Sequence, residues 1–436
     1  MLRELLGKKR LYLDGGMGTM LQRAGLSAGE LPETWNLTHP EAVKNIHAAY
    51  LASGANIITT NTFGAYCTKY QNLSEIIPAA VENAAAAAEE SGREDVFVAY
   101  DVGPLGKLLE PMGDLPFEEA VSIFAESIGI AVSTGKVDLI LIETMNDAYE
   151  TKAAVLAAKE CCDLPVLVTN VFDAGGRLLT GADCTVMASM LKSLGVDGAG
   201  MNCSLGPRQM AGVAERYAAV SELPLIVSPN AGLPRIREGK TVYDVTAEEF
   251  AAVVAEIAGQ SAILGGCCGT DPEFIRCMTD LTRGIPLQNA AGDTHDVVTS
   301  HCKFSPAEDG EFEVGDLLPV AGLDEDDLDD LVDDAMDAAE DELPVVGLDL
   351  TGVEPELAAL AVRRVQELAS TPLALKGKGE TLAAAMRCYN GKPLLLAETE
   401  EEVVLEHLPL QKRYGGTLSV LCGDRAEVIS VLNEAE

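Results

Sequence analysis

The sequence predicts an α/β protein: a (β/α)8 TIM barrel with a second, smaller, incomplete α/β domain behind it. Three observations lead there. Strand and helix patterns alternate eight times between residues 11 and 285. The residues that end those strands are polar or metal-ligating. After Gly284 the alternation breaks into polar and acidic sequence before α/β patterning resumes. Eight βα units in a stretch of that length point to a closed barrel rather than an open doubly wound sheet.

The expected strands are Leu11–Gly16, Ala55–Phe63, Val96–Pro104, Val137–Thr144, Leu164–Phe172, Gly198–Ser204, Pro224–Gly232 and Ala262–Thr270. Helical patterns between them stop at glycines such as Gly54, Gly92, Gly135 and Gly195, the residue that most readily takes a left-handed helix end. Thr38-His39-Pro40-Glu41 has the spacing of a capping box and opens the helix that follows. Such barrels carry their sites at the C-terminal ends of the strands. Here those ends read Asp14, Thr60-Asn61-Thr62-Phe63, Asp101, Glu143, Asn170, Cys203, Asn230 and Cys267-Cys268. One such Asp or Asn commonly caps a loop. Their convergence with three cysteines on one mouth is not what a purely structural scaffold requires.

Composition narrows the class. A net charge of −38 repels nucleic acid phosphate and anionic lipid and suits a heavily solvated surface. No uninterrupted apolar span is long enough for a membrane helix. The N-terminus reaches a strand too soon for a signal peptide. Eleven cysteines without framework spacing fit a reducing cytoplasm. Gly15-Gly16-Met17-Gly18 lacks both the dinucleotide spacing and the Walker lysine, and reads as a tight turn at a strand end.

The chemistry gathers at Leu264-Gly265-Gly266-Cys267-Cys268-Gly269-Thr270. Two thiols stand where a strand ends and a helix begins, with Thr270 or Asp271 as N-cap and Pro272 in the first turn. A helix N-terminus favours thiolate. Two cysteines cannot close a zinc site, but Cys203 ends another strand and supplies a third sulfur. Three thiolates and one open position are what zinc chemistry on a substrate needs. Cysteines are also common as small buried hydrophobes, and Cys161-Cys162 is a second vicinal pair without the glycine frame. Adjacency alone therefore proves nothing.

Leu13-Asp14-Gly15-Gly16-Met17-Gly18-Thr19, Asn202-Cys203 and Gly265-Gly266-Cys267-Cys268-Gly269-Thr270, in that order, resemble the homocysteine S-methyltransferase family over residues 1–290. That family includes the homocysteine domain of cobalamin-dependent methionine synthase and betaine–homocysteine methyltransferase. The resemblance implies a barrel in which Cys203, Cys267 and Cys268 hold Zn2+ and the homocysteine sulfur takes the fourth position. Asp14 and Glu143 match positions that contact the amino acid, and carboxylates suit its ammonium end. Asn61, in Asn61-Thr62-Phe63-Gly64, is a further candidate for the rim.

Residues 291–341 read as a linker with an acidic helix, since Leu328, Leu331, Val332, Ala335 and Met336 recur at helical spacing among Asp and Glu. Asp293-Thr294-His295 lacks the glycine of a cobalamin-binding loop, with Val298 in its place. Residues 342–436 read as a truncated α/β domain whose first strand lies within 312–319. Ala384-Ala385-Met386-Arg387-Cys388-Tyr389-Asn390-Gly391 and Lys412-Arg413-Tyr414-Gly415-Gly416-Thr417-Leu418 are similar to the front of the methyltetrahydrofolate-binding barrel of methionine synthase. Lys376-Gly377-Lys378 and Ala397-Glu398 depart from it at polar positions, which implies a relic that does not bind folate. An incomplete barrel exposes a sheet edge, a surface suited to a second copy of the chain or a partner.

The expected activity is therefore zinc-dependent transfer of a methyl group to homocysteine, giving methionine. The expected donor is a methylated corrinoid protein acting in trans. An S-methylmethionine or betaine-type donor, and a non-catalytic corrinoid-protein-binding subunit, are the competing readings. Neither nucleic acid nor membrane is an expected partner.

Overall fold

The computed structural model describes residues 2–233, 235–237, 240–288, 290, 292–340 and 343–430. The expected limits at 291 and 341–342 and residues 431–436 lie outside this set. The chain divides into two compact units. One comprises residues 1–179 and 196–292, the other 180–195 and 293–436.

In the first unit, β1 (Leu11–Tyr12), β2 (Ile57–Thr59), β3 (Phe97–Val102), β4 (Leu139–Met145), β5 (Val166–Asn170), β6 (Gly198–Asn202), β7 (Leu225–Ser228) and β8 (Ser261–Leu264) form one parallel sheet. Its neighbours follow chain order, and β8 pairs with β1 through Leu11↔Ile263. A parallel bridge between Leu13 and Ile57, with Asp14 N donating to Ile57 O at 3.0 Å, joins β1 to β2 and closes the barrel. Closure follows from the side-chain pattern. Leu11, Leu13, Ile57, Phe97, Ala99, Leu139, Leu141, Leu167, Ile226 and Ile263 share one core cluster. Where one stretch contributes two of them, as at Leu11 and Leu13, Phe97 and Ala99, and Leu139 and Leu141, they sit two residues apart, on the pleat's inward face.

The helices begin and end for local reasons. Asp147 accepts from Glu150 N at 2.6 Å, and Thr246 with Glu249 forms a full capping box. Asp271, rather than Thr270, caps the helix Pro272–Thr282, accepting from Glu273 N at 2.8 Å. Gly54, Gly92 and Gly135 all take positive φ where helices stop. The capping box read at Thr38 does not form. Thr38 ends a short helix, Trp35–Thr38, and its hydroxyl donates back to Thr34 O, so His39 becomes the N-cap of Pro40–Ala52 without a side-chain bond.

The second unit is a seven-stranded sheet. Five strands run parallel: β12 (Leu318–Pro319), β13 (Val346–Asp349), β14 (Leu373–Lys376), β15 (Leu394–Ala397) and β16 (Thr417–Cys422). Arg425–Val428 (β17) then turns back antiparallel to β16, and Glu311–Glu313 (β11) pairs antiparallel with β17. The stretch 312–319, read as one first strand, is therefore shared between opposite edges of the sheet. Phe312 and Val314 reach the core on one side, while Leu318 pairs with Leu348 on the other. The acidic helix is present as Leu328–Glu340. The same 291–341 stretch also carries a hairpin of Val297–Thr299 (β9) with Phe304–Pro306 (β10), whose pairing its polar sequence did not announce. The exposed edge read as a docking surface is short on both sides: β12 has two residues, one of them Pro319, and β11 has three. Short edges and an edge proline are how sheets avoid further pairing.

Backbone contact inside the barrel sets a test of this packing. A methyl at Gly200 would stand 1.9 Å from Ile226 O, whereas one at Gly212, inside the helix Pro207–Val220, meets nothing within 4 Å. Gly200→Ala should cost roughly 1–3 kcal/mol in denaturant unfolding. Gly212→Ala should raise stability by up to about 1 kcal/mol.

Candidate active site

The strand that ends at Leu264 turns so that Gly265 N donates to Val227 O at 3.0 Å and Gly266 N to Asp14 O at 3.1 Å. Cys267 N then donates to Pro229 O at 2.9 Å, and Ala231 N donates to Cys268 O at 3.0 Å. The cysteine pair is thus stitched to the strand on each side. Glycine is needed at 269, where φ is +84° and a Cβ would lie 2.4 Å from the Tyr243 ring. Thr270 closes the turn, its hydroxyl donating to Cys267 O at 2.7 Å and accepting from Gly16 N at 3.2 Å.

Cys203 approaches from β6. It leaves the strand with φ 59° and Ser204 follows at 50°, left-handed values that cost a non-glycine residue about 1–3 kcal/mol each. Such strain is commonly stored where a side chain must be aimed. Here it brings the three sulfurs of Cys203, Cys267 and Cys268 within 4.8 Å of one another, with Cys203 and Cys268 at 3.9 Å. Zinc–thiolate bonds of about 2.3 Å in a tetrahedron put sulfurs about 3.8 Å apart, so the set fits this metal. Its chemistry fits as well. Cys203, accepting from the thiols of Cys267 and Cys268, is drawn down to about 3, while Cys268 is pushed up to about 12 by its bond to Cys203. A divalent cation is what lets all three ionise together. Cys161 and Cys162 are not part of this set, and their thiols donate to Ala125 O and Ala158 O at 3.5 Å.

Cys203, Cys267, Cys268, Asp14, Glu143 and Asn61 line one cavity of about 1460 Å³, with Thr60, Phe63 and Asp101 of the strand-end series, whereas Thr62, Asn170 and Asn230 of that series do not line it. Asp14 is buried, and its carboxylate accepts from Thr59 N at 2.8 Å and from the Thr59 hydroxyl at 3.2 Å. Burial pushes its carboxyl up to about 7 against those bonds. Burial likewise lifts Glu143 to about 8, with the charges of Asp14 and Cys203 adding to it. Asn61 uses its amide nitrogen on Pro32 O at 2.8 Å and Asn36 Oδ1 at 3.3 Å, which ties residues 32–36 to the loop after β2.

Three further residues at the mouth were given no individual role in the sequence. Asn202 is buried and links the sulfur set to the acids. Its Nδ2 donates to Glu143 Oε2 at 3.1 Å and Thr144 Oγ1 at 2.8 Å, and points at Cys267 Sγ at 3.7 Å. Its Oδ1 accepts from Thr144 N and the Thr169 hydroxyl, both at 2.9 Å. This holds Thr144 in its own left-handed conformation, φ 62°. Glu33 accepts from Gly64 N at 2.7 Å and from the Tyr70 hydroxyl. Its position in the 3-10 turn Pro32–Thr34 gave no sequence signal. Asp101, at the end of β3, lines the same cavity. Its place in the strand-end series had set it at the mouth without assigning it a role.

Asn202→Asp keeps the shape but removes both N–H donors and sets a carboxyl against Glu143. Leaving buried partners unpaired costs about 1–3 kcal/mol each. The variant should therefore unfold at lower denaturant concentration by at least that amount, whereas Ser204→Ala should change stability far less.

The profile of the homocysteine S-methyltransferase family matches residues 11–282. Over 296 residues the chain is 30% identical to a methionine synthase of Mycobacterium tuberculosis and 29% identical to one of Mycobacterium leprae. Each alignment takes in 63% of this chain, and the chain spans about a quarter of these relatives, 25% and 24%. The metallated form of the homocysteine methyltransferase MmuM from Escherichia coli shares the fold at a TM-score of 0.53 and 22% identity. That match covers 64% of this chain and 99% of MmuM. With the barrel closed and the three cysteines gathered at its mouth, the match over residues 11–282 shows that the chain belongs to the homocysteine S-methyltransferase family.

Proposed function

We propose that the protein is a zinc-dependent S-methyltransferase that methylates the thiol of homocysteine to give methionine, with a methylated corrinoid protein as donor in trans. The observation that carries this reading is the meeting of three cysteine sulfurs within 4.8 Å with buried carboxyls on one cavity. Cys203, Cys267 and Cys268 would hold the metal. Bound there, Zn2+ would lower the pKa of a thiol so that it is a nucleophile at neutral pH. The chain's own part is to place the amino acid. Asp14 and Glu143 offer carboxylate oxygens to an ammonium, Thr59 and Asn202 fix those carboxyls, and Asn61 holds the rim.

The corrinoid donor is supported by the relatives, which are methionine synthases. In the second unit, Lys376 at the end of β14 pairs with Asp349 at 3.4 Å and Glu398 at 3.2 Å. Groups at the strand ends are thus committed to one another rather than to a pterin. A cytoplasmic location agrees with eleven free thiols. Among the described residues no helix is long and apolar enough to cross a membrane.

Metal analysis should give one zinc per chain. The Cys267→Ala, Cys268→Ala double variant should retain none, and Cys161→Ala and Cys162→Ala should retain all of it. Full occupancy in the double variant removes the assignment. Purified protein with homocysteine should form methionine from a methylated corrinoid protein, and none from methyltetrahydrofolate alone. Turnover on S-methylmethionine or betaine instead would replace the donor. Turnover on none of them, with zinc bound, would favour a binding subunit. Calorimetry with methyltetrahydrofolate should show no heat, and micromolar affinity would restore folate as the donor.

A further inference from the structure

The mouth holds a third buried carboxyl that the roles above do not use. The pleat puts Asp101 two residues beyond Ala99 on β3, and Glu143 two residues beyond Leu141 on β4. Ala99 and Leu141 both belong to the barrel core cluster. Asp101 pairs with Leu141, so Glu143 stands one inward position further along the adjacent strand. Asp101 is 6% exposed and lines the cavity. The other two acids already have protein partners: Asp14 is engaged by Thr59 through both oxygens, and Glu143 by Asn202. Asp101 Oδ1 has none. A buried carboxylate oxygen without a partner is costly, and Asp101 carries it on a residue that lines the cavity, where a ligand can bring a donor to its carboxylate.

We propose that Asp101 is a specificity-determining residue that accepts a hydrogen bond from the α-ammonium of the thiol substrate, so that the site selects amino-acid thiols over thiols lacking the amine. This rests on the homocysteine reading above. A cation is the matching ligand because the nearest charges are acidic. Asp101 is raised well above the ordinary carboxyl range first by burial, then by Glu143, Asp14 and Glu33. An ammonium brings both the missing donor and the compensating charge. Asp14 and Glu143 keep spare acceptor capacity, but each is also anchored to the protein. Asp101 is the group whose satisfaction depends on the substrate.

The test compares homocysteine with 4-mercaptobutanoate, which keeps the thiol and carboxylate and lacks the amine. Binding is followed by calorimetry on the zinc protein, and by the thiolate charge-transfer band of the cobalt-substituted protein. Wild type should prefer homocysteine. Asp101→Asn and Asp101→Ser should weaken homocysteine binding roughly ten- to hundredfold. Both should leave 4-mercaptobutanoate affinity and metal content unchanged. Equal weakening of the two thiols, or unchanged homocysteine affinity in both variants, overturns the role of Asp101 while leaving the proposed function intact. Failure of the metal-loaded wild type to bind either thiol overturns the proposed function and this inference with it. The two failures are therefore separable.

Discussion

The site depends on barrel closure at the seam between the last strand and the first. Gly266 N reaches Asp14 O across that seam, and Cys267 N reaches Pro229 O on the other side. One short loop therefore reads the positions of β1, β7 and β8 together. Asp14, whose carboxylate is turned to Thr59 on β2, is fixed by the same seam. If β1 left its place between β8 and β2, the sulfur pair and the first carboxyl would lose their references at once. The spacing of the sulfurs is thus a property of the closed sheet, and not of the Cys267-Cys268 dipeptide. The other vicinal pair, Cys161-Cys162, stands at a helix end with no such frame.

The mouth gathers carboxyl groups in surroundings that disfavour their charged form. Asp14 and Glu143 have folded-state values of about 7 and about 8, above their ordinary ones. The sign follows from linkage. Groups raised on folding favour the folded state fully below their unfolded values, and that contribution is lost as pH rises through 7 to 8. A ligand-free barrel therefore carries a cost near neutrality that a cation offsets on binding, and binding in turn stabilises the fold. Asn202 makes the arrangement tolerable, because one amide donates toward the sulfur and the acid together. The strain at Thr144, Cys203 and Ser204 belongs to the same design, with off-pattern backbone held in place by side-chain bonds around it.

How much of this was legible follows from what each residue depends on. The cysteines could be read because strand, glycine frame and helix cap are local signals within a few residues. Asp14 and Glu143 could be read because they end strands whose apolar runs are unambiguous. Asn202 sits beside Cys203 in the chain, yet its importance lies in partners at 143, 144 and 169 that only the closed sheet brings near. Glu33 gains its place through Gly64 and Tyr70, again a tertiary fact. The misread cap at Thr38 has the same cause. The local pattern was sound, but a helix just before it claimed the hydroxyl. The strand read as Gly198–Ser204 was overestimated because Cys203 and Ser204 leave the extended run at left-handed backbone angles.

The second unit shows the same limits and resolves one of them. The sequence suggested a barrel cut short, and a cut barrel leaves an edge. The chain instead finishes the sheet by reversing. Arg425–Val428 folds back on Thr417–Cys422, and Glu311–Glu313 covers the strand so formed. On the far side Pro319 has no N–H to offer a further strand. The edge alone therefore supplies no argument for a second copy of the chain. At the strand ends, Lys376 stands between Asp349 and Glu398, while Glu402 lies beside both Lys378 and the buried His407. These half-exposed pairs add little stability individually. Their consequence is positional: the donors and acceptors that a heterocycle would need are turned toward one another, and a sheet of parallel topology is left as a packed body closed by its own hairpin.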